Sequence, residues 1–309
     1  MNKVMGYAVG DPVKEACRLC AGQDQRVKLV IERPDRFERA AGIAEAGYER
    51  YWLECDACGL LNDCYGHDIS SIYSDQYYDP AVEGETVRER FKRVLALPNA
   101  GSDNWARVQR IKDFVQRQRP AGCAGTPTAL SAMDIGSGTG IFLYRLMEAM
   151  PGWQATAVEP SPQACEHLRT LGQISAAASA CCDLEVIEGY YTAQVAHRQR
   201  YDLVTLNKVV EHLPDPVQLV RDAGEALKPN GILYVEVPDK ATAEHRPATD
   251  NILGALHYCL FDAATLAMTF TRAGLSPVQI QRYVEPSGKI TVSGFAVRRN
   301  DFANEYAAP

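Results

Sequence analysis

The chain has 309 residues, a formal charge of −7 and 46% hydrophobic residues. That composition supports a packed core and excludes global disorder, and the acidic balance makes nucleic acid an unfavoured partner, since non-specific binding needs a broad basic face. No apolar run approaches the roughly 20 residues of a membrane helix, and residues 1–13 lack the charged, apolar and small-residue order of a secretory signal; a cytoplasmic chain with no membrane partner is expected, in which ten cysteines read as ligands or buried thiols rather than disulfides.

Two Cys-x-x-Cys pairs come first, Cys17-Arg18-Leu19-Cys20 and Cys55-Asp56-Ala57-Cys58. Each pair fits one tight knuckle with both thiolates facing one ion, and two knuckles supply the four sulfurs of a tetrahedral zinc site. Gly22 and Gly59 fall where such knuckles need positive φ. Residues 26–32 and 48–54 read as strands pairing beneath the metal. Four thiolates leave no position for water or substrate, so the zinc expected on Cys17, Cys20, Cys55 and Cys58 is structural. Cys64 and His67 form a second-ranked Cys-x-x-His ligand pair. Cys123, Cys165, Cys181, Cys182 and Cys259 lack ligand spacing and read as small core residues.

Residues 69–80, rich in tyrosine and ending at Pro80, suit packing between domains. Helices are expected over 85–97 and 105–118. The second carries Val108, Ile111, Phe114 and Val115 on one face and Arg107, Arg110, Lys112, Arg117 and Arg119 on the other, which reads as solvated. Residues 120–127, dense in Gly and Pro, read as a linker. The chain thus divides into a zinc-binding, zinc-ribbon-like module over 1–80, a helical connector or lid over 81–127, and a third unit over 128–309.

Within that unit strands and helices alternate. Strands are expected at 129–134, 154–159, 184–188, 201–206 and 231–237, with helices at 141–150, 162–171 and 217–227. Mostly apolar strands alternating with helices predict a parallel sheet covered on both faces, doubly wound by right-handed crossovers. A helix over 262–273 leads to strands at 277–283 and 290–298. The turn Glu285-Pro286-Ser287-Gly288-Lys289 is too short for a helical crossover, so these last strands are antiparallel neighbours.

Ligands of such sheets bind beyond the carboxyl ends of the strands. After the first strand comes Asp134-Ile135-Gly136-Ser137-Gly138-Thr139-Gly140. A dinucleotide fingerprint counted from Gly136 puts its third glycine at 141, which is Ile141. The D-x-G-x-G-x-G pattern instead resembles the first motif of class I S-adenosylmethionine (SAM) methyltransferases. Further resemblance lies in Glu159-Pro160 after the second strand, Asn207-Lys208-Val209-Val210-Glu211-His212-Leu213-Pro214 after the fourth, and Lys228-Pro229-Asn230-Gly231 before the fifth. It covers residues 128–299 and implies an α/β fold, a doubly wound seven-stranded Rossmann-like sheet with a reversed last strand. It also implies SAM as cofactor, held by Asp134, Gly136, Ser137, Gly138, Gly140, Glu159, Pro160, Tyr190, Asn207 and Lys208. Glu159 is placed on the ribose hydroxyls. Tyr190 departs from the family, which often has an acidic residue there for the adenine amine. The Cys-pair module is similar, more loosely, to zinc-bearing methyltransferases that modify sugars or other small molecules.

The expected activity is methyl transfer to a small molecule, most plausibly a sugar or sugar nucleotide. Alternatives are an RNA or protein methyltransferase whose zinc module holds the polymer, and a non-catalytic SAM-binding protein. His212 is the first candidate base, because an unperturbed histidine titrates near neutrality. His257, in His257-Tyr258-Cys259-Leu260-Phe261, is the second, and Glu211 is named with them; the alternative is that Glu211 and His212 only brace the loop. Some small-molecule O-methyltransferases bind a divalent ion through E-x-x-E-H at this place. Lys208 at the first acidic position argues against metal assistance, and suits a substrate carboxylate or phosphate instead.

Overall fold

The computed structural model describes residues 15–64, 84–118, 130–177, 184–196 and 200–298. The tyrosine-rich segment, the 120–127 linker, His67, Cys123, Cys181, Cys182 and Arg119 lie outside the described residues. In chain order the strands are β1 (Gln25–Ile31), β2 (Arg50–Cys55), β3 (Leu61–Cys64), β4 (Ser131–Ile135), β5 (Gln154–Glu159), β6 (Leu184–Glu188), β7 (Tyr201–Asn207), β8 (Leu227–Pro238), β9 (Cys259–Leu260), β10 (Leu275–Val284) and β11 (Ile290–Arg298).

Seven of them form one sheet in the order β10-β11-β8-β7-β4-β5-β6. From β6 to β8 every pairing is parallel. All five residues of β4 are buried, as expected of a strand covered on both faces by helices. β11 runs antiparallel to both β8 and β10. The reversed strand is last in the chain but lies inside the sheet, inserted between β8 and β10. The fold is the seven-stranded, Rossmann-like sheet anticipated above.

The helices Ile141–Ala149, Pro162–Ala177, Pro216–Glu225 and Ala263–Arg272 connect the strands. Pro162–Ala177 runs six residues beyond its expected end at Leu171.

The second sheet is antiparallel, in the order β1-β2-β3-β9. Residues 61–64 gave no strand signal, because two of the four are polar. They become β3 because β2 pairs on one side and β9 on the other. The outer strand β9 comes from the far end of the chain, with Asn62 opposite Cys259. Behind the sheet Trp52, Leu61, Ile252, Leu253 and Leu260 share one buried cluster. Arg50, 1% exposed, joins the two halves by donating to Asp63 and to the Leu253 carbonyl. The short helix Arg36–Ala40, also unanticipated, begins at a reciprocal cap between Asp35 and Glu38.

The helix Asp103–Gln118 corrects one expectation. Val108, Ile111, Phe114 and Val115 are buried as expected, but so is Arg107 of the supposedly solvated face. Arg107 and Arg110 both pair with Glu236 of β8, which is fully buried, and Arg110 also reaches Glu285. A buried carboxylate is tolerated only with partners of opposite charge, and these two arginines supply them.

Candidate functional site

The glycine loop joins β4 to the helix Ile141–Ala149 with Gly136, Gly138 and Gly140 at φ of 72°, 55° and 74°. That left-handed conformation costs other L-residues roughly 1–2 kcal/mol. Two glycines are fixed by crowding as well. A Cβ on Gly136 would lie 2.6 Å from Val209, and one on Gly140 2.5 Å from Leu168. Gly138 faces the next strand end, where its amide donates to Glu159 Oε2 at 2.8 Å. The other oxygen, Oε1, accepts from the Ser161 amide at 2.9 Å. Each carboxylate oxygen keeps a second lone pair for a ligand hydroxyl. Burial, opposed by these two amides, pushes the Glu159 carboxyl above its usual range.

Asp134 and Ser137 turn inward. Asp134 is 2% exposed and its Oδ1 accepts from Thr205 Oγ1 at 2.6 Å and Asn207 Nδ2 at 2.8 Å. Ser137 Oγ donates to the Asp134 carbonyl. These bonds shape the loop and tie β4 to β7. Pro160 is half-buried at the turn after β5, and Tyr190 stands 60% exposed after β6.

Burial pushes Asp134 up to about 6. A carboxyl raised above its unfolded value of ~3.9 holds its proton more tightly when folded, so stability falls as pH rises from about 4 to about 6 and is flat above. Asp134→Asn keeps an oxygen for Thr205 and Asn207 but does not titrate. Denaturant unfolding between pH 4.5 and 7 is expected to show the variant gaining on the parent, by roughly 2 kcal/mol across that range. Parallel profiles would show that Asp134 is not desolvated.

The fourth parallel strand carries the site outward. After Asn207, Lys208 takes φ of 60°, rare for a residue with a side chain. Its ammonium meets Thr291 Oγ1 at 2.8 Å and lies 3.6 Å from Glu236. Glu211 is completely buried, and among the described residues neither of its carboxylate oxygens meets a hydrogen-bond partner. His212 lies edge-on to His257, ring centres 4.5 Å apart. Each histidine Nδ1 faces a backbone carbonyl, His212 that of Leu256 at 2.9 Å and His257 that of Ile252 at 2.6 Å. One ligand atom from each of Glu211, His212 and His257 lies within 4.8 Å of the others. The structure therefore brings together all three residues named as catalytic candidates, two of which are 46 residues apart in the chain.

Burial alters their chemistry. Desolvation pushes Glu211 up to about 8 against the pull of Lys208, and pushes His212 down to about 4. His257 falls well below the ordinary histidine range for the same reason. The near-neutral imidazole expected of His212 is thus displaced by its surroundings.

Lys208, Glu211, His212 and His257 line a cavity of about 880 Å³. The end of β1 and the short helix of the N-terminal segment also line it, with Arg33, Arg36 and Arg39, as does Lys289. The glycine loop and Glu159 do not line it.

A family profile described as a methyltransferase domain matches residues 103–280, more than half of the chain. The chain belongs to this methyltransferase family. Among curated proteins, the methyltransferase is 29% identical over 161 residues to the ubiquinone biosynthesis O-methyltransferase of Actinobacillus pleuropneumoniae serotype 5b (strain L20), covering 48% of this chain and 63% of that one. It is 30% identical over 112 residues to the enzyme of the same name from Serratia proteamaculans (strain 568), covering 36% and 44%. The chain thus spans less than two thirds of the length of these relatives. Among solved structures it resembles magnesium protoporphyrin IX methyltransferase from Synechocystis PCC 6803 with bound SAH, at a TM-score of 0.51 and 14% identity over 74% of this chain and 99% of that one. The plantazolicin methyltransferase BpumL in complex with SAH gives 0.51 and 12%, covering 74% and 94%. At these identities the structures speak for the fold.

The methyltransferase also brings its four early cysteines together. Sγ of Cys17 lies 3.6 Å from that of Cys58, and Sγ of Cys20 3.5 Å from that of Cys55. All four sulfurs fall within 4.8 Å of one another. Zinc–thiolate bonds of about 2.3 Å set tetrahedral sulfurs about 3.8 Å apart, close to this spacing. Cys64 is not in the group. The knuckle glycines differ from expectation. Gly59 has φ of 78°, but at the first knuckle Ala21 takes the positive φ, at 60°. Gly22 is small for another reason, since a Cβ there would lie 3.2 Å from Cys20 Sγ and 3.3 Å from Cys55 Sγ.

Sequence reasoning missed Arg33, Arg36, Arg39 and Lys289, which reach the cavity only through tertiary packing. It also missed Glu236, a lone acid in an apolar strand, whose paired arginines are visible only in the fold. No helix among the described residues is long and apolar enough to cross a membrane.

Proposed function

We propose that this chain transfers a methyl group from SAM to a small molecule, with the donor above β4 and β5 and the acceptor in the 880 Å³ cavity. One observation carries the reading. The end of β7 is bonded to the base of the glycine loop through Asn207 and lines the cavity through Lys208, Glu211 and His212. Donor and acceptor then meet across a single strand end. In this reading Gly136 and Gly140 shape the loop, Gly138 lets the donor approach backbone, Glu159 takes the ribose hydroxyls, and Pro160 and exposed Tyr190 flank the adenine.

SAM supplies a methyl group on a sulfonium, already activated by its leaving group. The chain's own task is alignment of the two reactants, where effective molarity contributes about 7–11 kcal/mol. A hydroxyl acceptor must also lose a proton, and the Glu211–His212–His257 cluster is the polar group of the cavity wall placed to manage it. His212→Ala is expected to lower turnover by about 10²–10⁴-fold while leaving SAM affinity nearly intact. Unchanged turnover would reduce His212 to a brace for the loop.

The arginines and lysines around the cavity favour an acceptor bearing phosphate, hence a sugar nucleotide, and the O-methyltransferase relatives favour oxygen as the atom methylated. Residues 1–80 then form a module whose four cysteines hold structural zinc, 81–127 a helical connector, and 128–309 the methyltransferase domain. Incubation with SAM and a panel of nucleotide sugars, free sugars, phenols and RNA, read by mass shift, tests the acceptor. Methylation of nucleotide sugars is expected. Methylation confined to RNA or to uncharged phenols would defeat the sugar-nucleotide reading.

A further inference from the structure

Two cations of the cavity wall are not engaged within the chain. Arg33, two residues after β1, and Lys289, just before β11, both line the cavity. Among the described residues neither side chain makes an ion pair or a hydrogen bond. Other cations of the wall are committed, Arg50 to Asp63, Arg90 to Glu85, Lys208 to Thr291 and Arg39 to the Pro34 carbonyl.

We infer that Arg33 and Lys289 are the specificity-determining residues of this cavity and together bind a diphosphate. Three observations support it. First, both stand on fixed backbone. Arg33 precedes Pro34, which confines it to extended conformations, and Pro34 is buried with its carbonyl accepting from Arg39 at 2.6 Å. The Lys289 carbonyl accepts from the Glu285 amide at 2.8 Å, and Asp103 holds Ser287 of the same turn. Cations placed before the ligand arrives lower the ordering cost of binding. Second, acids of the wall leave them unopposed. Asp35 accepts from the amides of Phe37, Glu38 and Ala255, and Asp250 from Arg246 and the Ile252 amide. Burial pushes Glu211 up to about 8, so at neutral pH it mostly keeps its proton and does not repel an anion. Third, the sign of charge reverses locally. The chain carries −7 overall, yet seven Arg and Lys residues line this cavity against five Asp and Glu. A cleft of one sign concentrates ligands of the other.

Two separate cations match two phosphoryl groups, whereas a single carboxylate would satisfy only one of them. The arginine fork can grip one phosphoryl group through two donors, and the lysine supplies a point charge for the other. The volume of about 880 Å³ lies in the range that holds a ligand of nucleotide size. Arg33 belongs to the segment between the two cysteine pairs, so the N-terminal module reads the acceptor while the large sheet holds the donor. That the diphosphate is the acceptor's own rests on the methyl-transfer reading, whereas the anion site does not.

Inorganic pyrophosphate is the probe, titrated calorimetrically into the full chain. Saturable binding of about one equivalent is expected, with a Kd at or below about 1 mM. Arg33→Ala and Lys289→Ala should each weaken it about 10-fold or more, as loss of a charge-assisted contact does, and Arg33→Lys should retain part of it. Arg117→Ala, which removes an exposed cation outside the cavity, should leave the affinity unchanged. With a nucleotide sugar as acceptor, Arg33→Ala should raise KM and leave kcat nearly intact. No saturable pyrophosphate binding, or equal affinity in the parent and the folded double variant Arg33→Ala with Lys289→Ala, would overturn the assignment. SAM calorimetry on the same samples separates this failure from failure of the methyltransferase reading.

Discussion

SAM binding is expected to vanish from calorimetry in the Gly138→Leu variant, a loss of at least 100-fold, or about 3 kcal/mol. Gly138 combines three constraints. Its φ of 55° penalises any side chain, its amide donates to Glu159, and its loop lies at the strand end where ligands of open sheets approach backbone. The leucine both strains the loop and fills the crevice. Melting temperature measured alongside separates loss of site from loss of fold. A well-folded variant that binds SAM normally would place the donor elsewhere and remove the main support for the functional reading.

A comparably large effect is expected from Cys55→Ser combined with Cys58→Ser. Metal analysis of the parent should find about one structural zinc on the four sulfurs, absent from the double variant. Binding energies near 10–16 kcal/mol for structural zinc in small modules leave little to hold the knuckles without it. The damage should also spread beyond the module. Cys17, Leu19, Cys55 and Leu60 share one buried cluster with Met133, Leu206 and Val235 of the large sheet. The whole chain should therefore melt earlier, and turnover should fall through loss of the cavity wall bearing Arg33 and Arg36. Undiminished zinc in the double variant would exclude the four-cysteine assignment.

The parallel sheet was legible because its signals are local. Apolar runs at 154–159 and 184–188 specify β5 and β6 to the residue, and a glycine-rich turn with helical periodicity after 140 specifies the first crossover to within two residues. The five-residue turn before β11 likewise forced an antiparallel pair, since no helix fits in it. The short strands β3 and β9 were not legible. They have only four and two residues, and pairing rather than propensity creates them.

The site divides in the same way. Spacing located the glycine loop and the four cysteines, and the family resemblance picked out Glu159 and the Glu211–His212 pair, because each lies on one turn or one strand end. Charge placement could not be read so locally. Arg107 and Arg110 looked solvated because helical periodicity records which residues share a face. It does not record that a buried Glu236 waits 129 residues away.

The sequence by itself determined the alternation of strands and helices in the large sheet and the reversal of the last strand. These depend on contacts between near neighbours in the chain. Only the tertiary structure decided that His257 joins Glu211 and His212, that Asp134 faces inward, and that the N-terminal segment lines part of the cavity. Those features arise from long-range packing, where burial moves Glu211 up to about 8 and His212 down to about 4. Desolvation is a property of everything packed around a group, and no stretch of neighbouring residues encodes it.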